Sequence, residues 1–171
     1  MVLPTRWLLG LLCLLIAQLA QAALPLTVLG DEQAASIIPI SALRILEDKT
    51  SSLQILTALP RLNDSGETHY DKASLGYSAS TYWIGFSLSG PPGAKYLLDL
   101  GNPFLDEVEM WVYVHGELAL YSSSGDLQPF SARQEPYPNF LLTLPAFDQA
   151  AEDVVLRIHS SSNLGLPLKL V

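Results

Sequence analysis

Cysteine is almost missing from this chain, with Cys13 the single one in 171 residues. It sits in an apolar leader, so the rest of the chain offers no thiol chemistry, no thiolate metal site and no disulfide framework. Basic residues are scarce too: 9 Lys and Arg stand against 17 Asp and Glu, a formal net charge of −8. An acidic chain of this kind is a poor partner for nucleic acid or for an anionic lipid surface. No segment after residue 22 is apolar for long enough to cross a membrane. The usual catalytic signatures are absent. There is no G-x-S-x-G, no H-E-x-x-H and no glycine-rich phosphate loop, and none of the three histidines stands in a nucleophile motif. Enzymatic activity, a cofactor and a resident metal are therefore not expected.

The amino terminus is the clearest segment. Arg6 precedes an apolar run from Trp7 to Ala17, and Ala20-Gln21-Ala22 forms an A-x-A site. This pattern predicts a signal peptide over 1–22, cleaved after Ala22. Leu11-Leu12 before Cys13 lacks the small residue that lipoprotein processing needs. Cleavage leaves 149 residues and takes the net charge from −8 to −9 through the loss of Arg6. That length suits one domain with a sizeable core. The organisation expected is signal peptide 1–22, an extended segment 23–39 and an exported β domain 40–171.

Alternation with period two dominates the β domain. Val108, Met110, Val112 and Val114 alternate with Glu109, Trp111, Tyr113 and His115, and the Val/Met face should point into a core. Thr81–Ser89 and Val154–Ser160 read as two more strong strands, with shorter ones at Lys95–Leu100, Leu118–Tyr121 and Phe140–Leu144. Ser52–Leu56 reads as another strand. Arg44–Leu46 is a short strand or turn, with a helix over Ala42–Asp48 as an alternative. Leu166–Val171 is expected at a sheet edge because of Pro167. Residues 61–80, with His69, and the stretch 122–139 read as loops. Gly90-Pro91-Pro92-Gly93 and Gly116-Glu117 mark turns. Asn63-Asp64-Ser65 matches the glycosylation acceptor pattern, which a bacterial compartment makes uninformative. Short strands at close spacing without a long helix give an all-β sandwich or barrel, of Greek-key or jelly-roll order.

An ordered set of residues in this frame resembles a known family. Tyr82-Trp83-Ile84-Gly85-Phe86, Leu98-Asp99-Leu100 with Asn102-Pro103, and Leu105-Asp106-Glu107-Val108 begin it. Gly125-Asp126, Pro129-Phe130, Arg133, Pro136, Asn139-Phe140, Leu142 and Arg157–Pro167 continue it. The set is similar to the type 2 extracellular domain of bacterial seven-transmembrane receptors with diverse intracellular signalling modules. The resemblance implies a jelly-roll-like β-sandwich similar to carbohydrate-binding modules, acting as the periplasmic sensor of a signalling receptor. It also implies membrane helices and an output module beyond Val171, which this chain does not contain. Where relatives are expected to carry a basic residue before the Asn-Phe pair, Tyr137-Pro138 stands here.

A saccharide site needs flat aromatic faces for sugar C–H surfaces and fixed polar groups for hydroxyls. The candidates are Glu109, Trp111, Tyr113 and His115 on one strand face, Arg157 and His159 on another, and Arg133, Tyr137 and Asn139 in the proline-flanked loop. If the two strands are neighbours, the six strand residues form one aromatic–polar surface. The competing reading places Trp111 and Tyr113 under the 122–139 loop, pairs Glu109 with Arg157 structurally, and uses Arg133 to anchor its loop to Asp106 or Asp126. The acid cluster Asp99, Asp106, Glu107 and Glu109 lacks the ligand spacing of a calcium loop. Expected partners are a saccharide or other small ligand, a second copy, or another receptor's sensor domain. Contact with a membrane would come only through a receptor portion outside this chain. A free-standing periplasmic binding module is the alternative function, and a polysaccharide-acting enzyme the remote third.

Overall fold

The computed structural model describes residues 23–30, 36–64, 74–148 and 150–171. The predicted signal peptide, His69 and Ser65 lie outside these residues. The described chain folds as an all-β sandwich with one helix. Its elements are β1 (Leu26–Val28), β2 (Ser36–Ile37), β3 (Arg44–Asp48), α1 (Ile55–Asp64), β4 (Thr81–Ser89), β5 (Leu97–Asp99), β6 (Glu107–Val114), β7 (Glu117–Ser124), β8 (Leu141–Thr143), β9 (Glu152–His159) and β10 (Lys169–Leu170).

The larger sheet runs β4-β9-β6-β7, and β1 and β3 share the remaining edge of β4. β3 pairs antiparallel with Thr81–Gly85, and β1 pairs parallel with Ser87–Ser89. The smaller sheet has the order β2-β10-β5-β8. The two sheets meet over Ile84, Phe86, Met110, Val112 and Leu156 on one side and Leu98, Leu142, Leu168 and Leu170 on the other. The alternation of β6 is realised as expected, with Val108, Met110 and Val112 fully buried. Each such side chain contributes about 2 kcal/mol through burial.

β4 is buried on both faces. Its inner row faces the smaller sheet, while Trp83 on the outer row, 1% exposed, lies beneath α1 with Leu24, Ala58, Leu62 and Val155. The stretch expected as a strand at Ser52–Leu56 instead leads into this helix. Ala58 and Leu62, one helical turn apart, bury against the sheet. Thr57 completes the entry, accepting a hydrogen bond from the Gln54 N–H at 3.2 Å and donating to the Gln54 carbonyl at 2.9 Å. The first of these bonds satisfies the Gln54 N–H, which an uncapped helix start leaves open, while the Gln54 carbonyl also accepts from the Thr57 and Ala58 N–H groups, both at 2.9 Å. Upstream, the buried Asp48 carboxylate accepts from Leu53 N–H at 2.8 Å, Thr50 N–H at 3.2 Å and the Thr50 hydroxyl at 3.0 Å.

β10 is not an edge strand. It pairs with β2 on one side and β5 on the other. Pro167 lies before the paired residues, so its missing N–H costs the ladder nothing.

Candidate functional site

β6 and β9 are direct neighbours, as the aromatic–polar surface requires. Glu109 faces Arg157, Trp111 faces Val155 and Tyr113 faces Asp153. On the other side of β6 the β7 hairpin adds Tyr121 opposite Trp111 and Ser123 opposite Glu109. The hairpin turns through His115 and Gly116, at φ 52° and 79°, a pair of positive values typical of a two-residue turn. A bulge at Ala119 then shifts the ladder by one residue. Without it, Tyr121 would not share a face with Trp111.

The aromatic side chains of this outer face stack. Trp83 and Trp111 are 5.6 Å apart at 24°, and Tyr121 meets Trp111 at 5.3 Å and 46°. Trp83 is buried, Trp111 half-buried and Tyr121 49% exposed, so the series rises from core to solvent. The polar centre is Arg157. Its Nη1 donates to Glu109 Oε2 at 2.8 Å and to Glu107 Oε2 at 3.2 Å. The Tyr121 hydroxyl donates to Glu109 Oε1 at 2.8 Å. That bond to Glu109 first, and burial second, push the Tyr121 pKa up.

Two clefts open on this face and share Glu109 and Arg157. One, of about 350 Å³, is lined by Asp106, Glu107, Ser123, Leu127 and Gln128 beside that pair. The other, of about 260 Å³, adds Leu53, Gln54, Ile55, Trp83 and Trp111. The wall along Trp111 is therefore the entry to α1, and not the 122–139 loop. That loop contributes Leu127 and Gln128 at the opposite side. Gly125 makes this wall possible: at φ 149° its Cα lies so close to the Asp106 carbonyl that a Cβ would stand 2.2 Å from the oxygen. The following amide, Asp126 N–H, bonds to the Leu105 carbonyl at 2.7 Å.

The remaining candidates fall elsewhere. Tyr113 is half-buried on the α1 side of the same face, and burial pushes its pKa up. His115 leaves the strand face for the hairpin turn, where Nε2 lies 3.5 Å from Asp148 Oδ2 with its side chain 71% exposed. The strand alternation ends at Val114 because the turn takes His115 into positive φ. His159, opposite Glu107, lines a separate cavity of about 440 Å³ with Tyr77, Ser78, Ala79 and Ser161. Arg133 anchors its own loop. Its Nη1 donates to the carbonyls of Tyr137, at 3.0 Å, and Pro138, and its Nη2 is 4.0 Å from Asp126. The guanidinium lies over Phe130 and Phe140 at 5.0 and 4.4 Å. Tyr137 is exposed and Asn139 half-buried in the loop so held.

Gln54, Tyr121, Ser123 and Gln128 also belong to this face, and sequence patterns did not single them out. The alternation of β7 carried a signal for Tyr121, but the bulge that turns it onto the outer face leaves no mark in the sequence. Among the described residues, no three His, Cys, Asp or Glu side chains are placed to hold a metal ion, and no helix is long and apolar enough to cross a membrane.

The family model named 7TMR-DISM extracellular 2 matches residues 41–171. No curated protein matches the chain. The matched span includes both outer-face strands, the loop carrying Arg133, and the Asp99 and Asn102 turns. Those two residues have structural work: Asp99 Oδ1 accepts from Gly101 N–H at 2.7 Å, and Asn102 Nδ2 donates to the carbonyls of Asn163 and Gly165 at 3.0 and 3.2 Å. With most of its length covered by that model, the chain belongs to the 7TMR-DISM extracellular 2 family, a family of receptor sensor domains.

Proposed function

We propose that the outer face of the larger sheet binds a saccharide-type ligand in the periplasm, and that binding is the input of a transmembrane signalling receptor. The observation that carries this reading is the pair of clefts joined at Glu109 and Arg157 beside the rising stack Trp83–Trp111–Tyr121. An aromatic edge with nearby hydroxyl, amide and guanidinium groups suits a sugar ring, which has apolar faces and a polar rim. Gln54, Ser123 and Gln128 supply neutral hydrogen-bonding side chains, and Arg157 a charged donor. The sign of the surface narrows the ligand. Asp106, Glu107 and Glu109 line the larger cleft against the single cation Arg157. An amino-substituted oligosaccharide meets attraction there, a neutral one meets no charge penalty, and a uronate-rich one meets repulsion. Glu107 and Glu109 are both engaged by Arg157, which supports binding over acid–base hydrolysis, since a glycosidase needs one carboxyl free to give up a proton.

Titration calorimetry of the secreted domain against neutral, amino and uronate oligosaccharides tests this. Neutral or amino sugars bind, uronates do not, and Trp111→Ala weakens binding at least tenfold, about 1.4 kcal/mol. Absence of binding in all three classes, or binding indifferent to Trp111, defeats the reading. Release of reducing ends during the titration would favour the enzyme instead.

A further inference from the structure

Glu152 is the one inward-facing carboxyl on β9, at the end of the strand away from the clefts. It follows the parity of Val154, Leu156 and Ile158, all buried in the core between the sheets. It is 1% exposed, and its Oε2 has no hydrogen-bond partner. Its ladder neighbours are Leu88 on β4 and Val114 on β6, and Val114 in turn faces Glu117 on β7. No lysine or arginine forms an ion pair with it among the described residues. The charged groups around it are acidic or titratable. Asp148 comes from the segment before β9 and is paired at 3.5 Å with His115 of the hairpin turn. Glu117 is exposed at the start of β7. Asp153 is turned to the opposite face, where the Ser87 hydroxyl donates to it.

We propose that Glu152 is a proton-operated latch at the hairpin end of the sandwich. Uncharged, it packs in the inner row and holds the β9 start against β4 and β6. Ionised, it releases its proton to solvent and loosens the Val114–Glu117 turn, so that an exported domain responds to the pH of the medium outside the cell. The physical cause is the mismatch between a carboxylate and an apolar, unpartnered site. Burial first, and the charge of Asp148 second, push the Glu152 pKa up to about 7. A carboxyl whose folded pKa exceeds its unfolded one holds its proton more tightly in the folded state than in the unfolded one. Its contribution to stability is present at low pH and lost as pH rises towards the folded value.

Carbon-13 carboxyl resonances of the full secreted chain, followed from pH 4 to pH 9, test the latch directly. The Glu152 signal is expected to move with a midpoint near neutrality, and Asp148→Asn to lower that midpoint. Hydrogen exchange at Val114–Glu117, corrected for intrinsic base catalysis, is expected to quicken several-fold across the midpoint in the wild type and to stay flat in Glu152→Gln. A Glu152 midpoint in the ordinary carboxyl range of about 4 to 5 overturns the proposal. So does an exchange profile that Glu152→Gln leaves unchanged. If Glu152→Gln does not fold, the wild-type titration still decides. The outcome is independent of whether the outer face binds sugars.

Discussion

Arg157 and Glu109 face each other across the β9–β6 ladder with Nη1 2.8 Å from Oε2, and both proposed lobes of the binding surface end on that contact. Their side chains are 20% and 25% exposed, and Glu107 shares the same guanidinium. Arg157→Gln should cost more stability than Glu109→Gln, because it leaves two neighbouring carboxylates without their cation. A double-mutant cycle read by urea unfolding should give a coupling of about 1 kcal/mol, at the upper end for a partly solvated pair. A coupling of zero would reduce the pair to a coincidence of packing.

The two stacked tryptophans should separate cleanly. Trp83→Ala removes a side chain that is 1% exposed under α1 and should cost about 3 to 5 kcal/mol. Trp111→Ala should cost about 2 kcal/mol, since only part of that ring is buried. Thermal unfolding followed by circular dichroism distinguishes them: the Trp111 variant stays folded at room temperature, and its sugar binding is lost. Equal losses at both sites would make Trp111 a core residue and nothing more.

Two glycines predict different penalties. Gly116 has φ 79° but open space where a Cβ would stand, whereas at Gly125 a Cβ would meet the Asp106 carbonyl at 2.2 Å. Gly116→Ala should cost about 1 to 2 kcal/mol of backbone strain. Gly125→Ala adds a clash with main chain to its strain, so its melting temperature should fall further. It should also displace Leu127 and Gln128 and so weaken ligand binding, which Gly116→Ala leaves intact. Identical effects on binding would argue that the Gly125 turn does not shape the cleft.

Asp48 governs the acid side of the stability curve. Burial alone would raise its pKa, but the hydrogen bonds from Leu53, Thr50 and Ser52 outweigh it and hold the carboxyl below the usual range. A depressed pKa means stability that is present above the unfolded value and lost as pH falls through the folded one. Asp48→Asn should therefore lower stability by about 1 to 2 kcal/mol at pH 7, and the gap to the wild type should narrow below about pH 4. Guanidinium unfolding midpoints at pH 7 and pH 3 measure this. A gap that is constant between the two values would show that the charge of Asp48 is not what its loop depends on.

Much of the sandwich was legible because its signal is local. The alternation through Val108, Met110 and Val112 fixes which face of β6 is core, and the same holds for Val154, Leu156 and Ile158. α1 was hidden by its own sequence. Ser52-Leu53-Gln54-Ile55 alternates like a strand, and Pro60 interrupts the helical pattern that Ala58 and Leu62 complete. The central place of β10 depends on β2 and β5 arriving from distant parts of the chain, which no local pattern encodes. At the candidate site, the facing of Glu109 and Arg157 was anticipated as one of two readings. The cover over Trp111 was misplaced, because it comes from a helix the sequence concealed. His115 read as the last residue of the β6 outer face, and Arg133 as either a ligand contact or an anchor of its loop. One is spent on a turn with positive φ and the other on holding carbonyls of its own loop.

β10 also has a mechanical meaning. Lys169 and Leu170 are bonded to Ile37 and Ser36 on one side and to Asp99 and Leu98 on the other, and Val171 and Leu97 exchange backbone hydrogen bonds at 2.9 and 3.0 Å. A tug along the chain at Val171 runs parallel to these ladders, so it loads all of them together in shear instead of peeling them one by one. The load divides between the β2 side and the β5–β8 side of the smaller sheet. Residues 169–171 are thus tied into the middle of a sheet by short strand pairings on both sides.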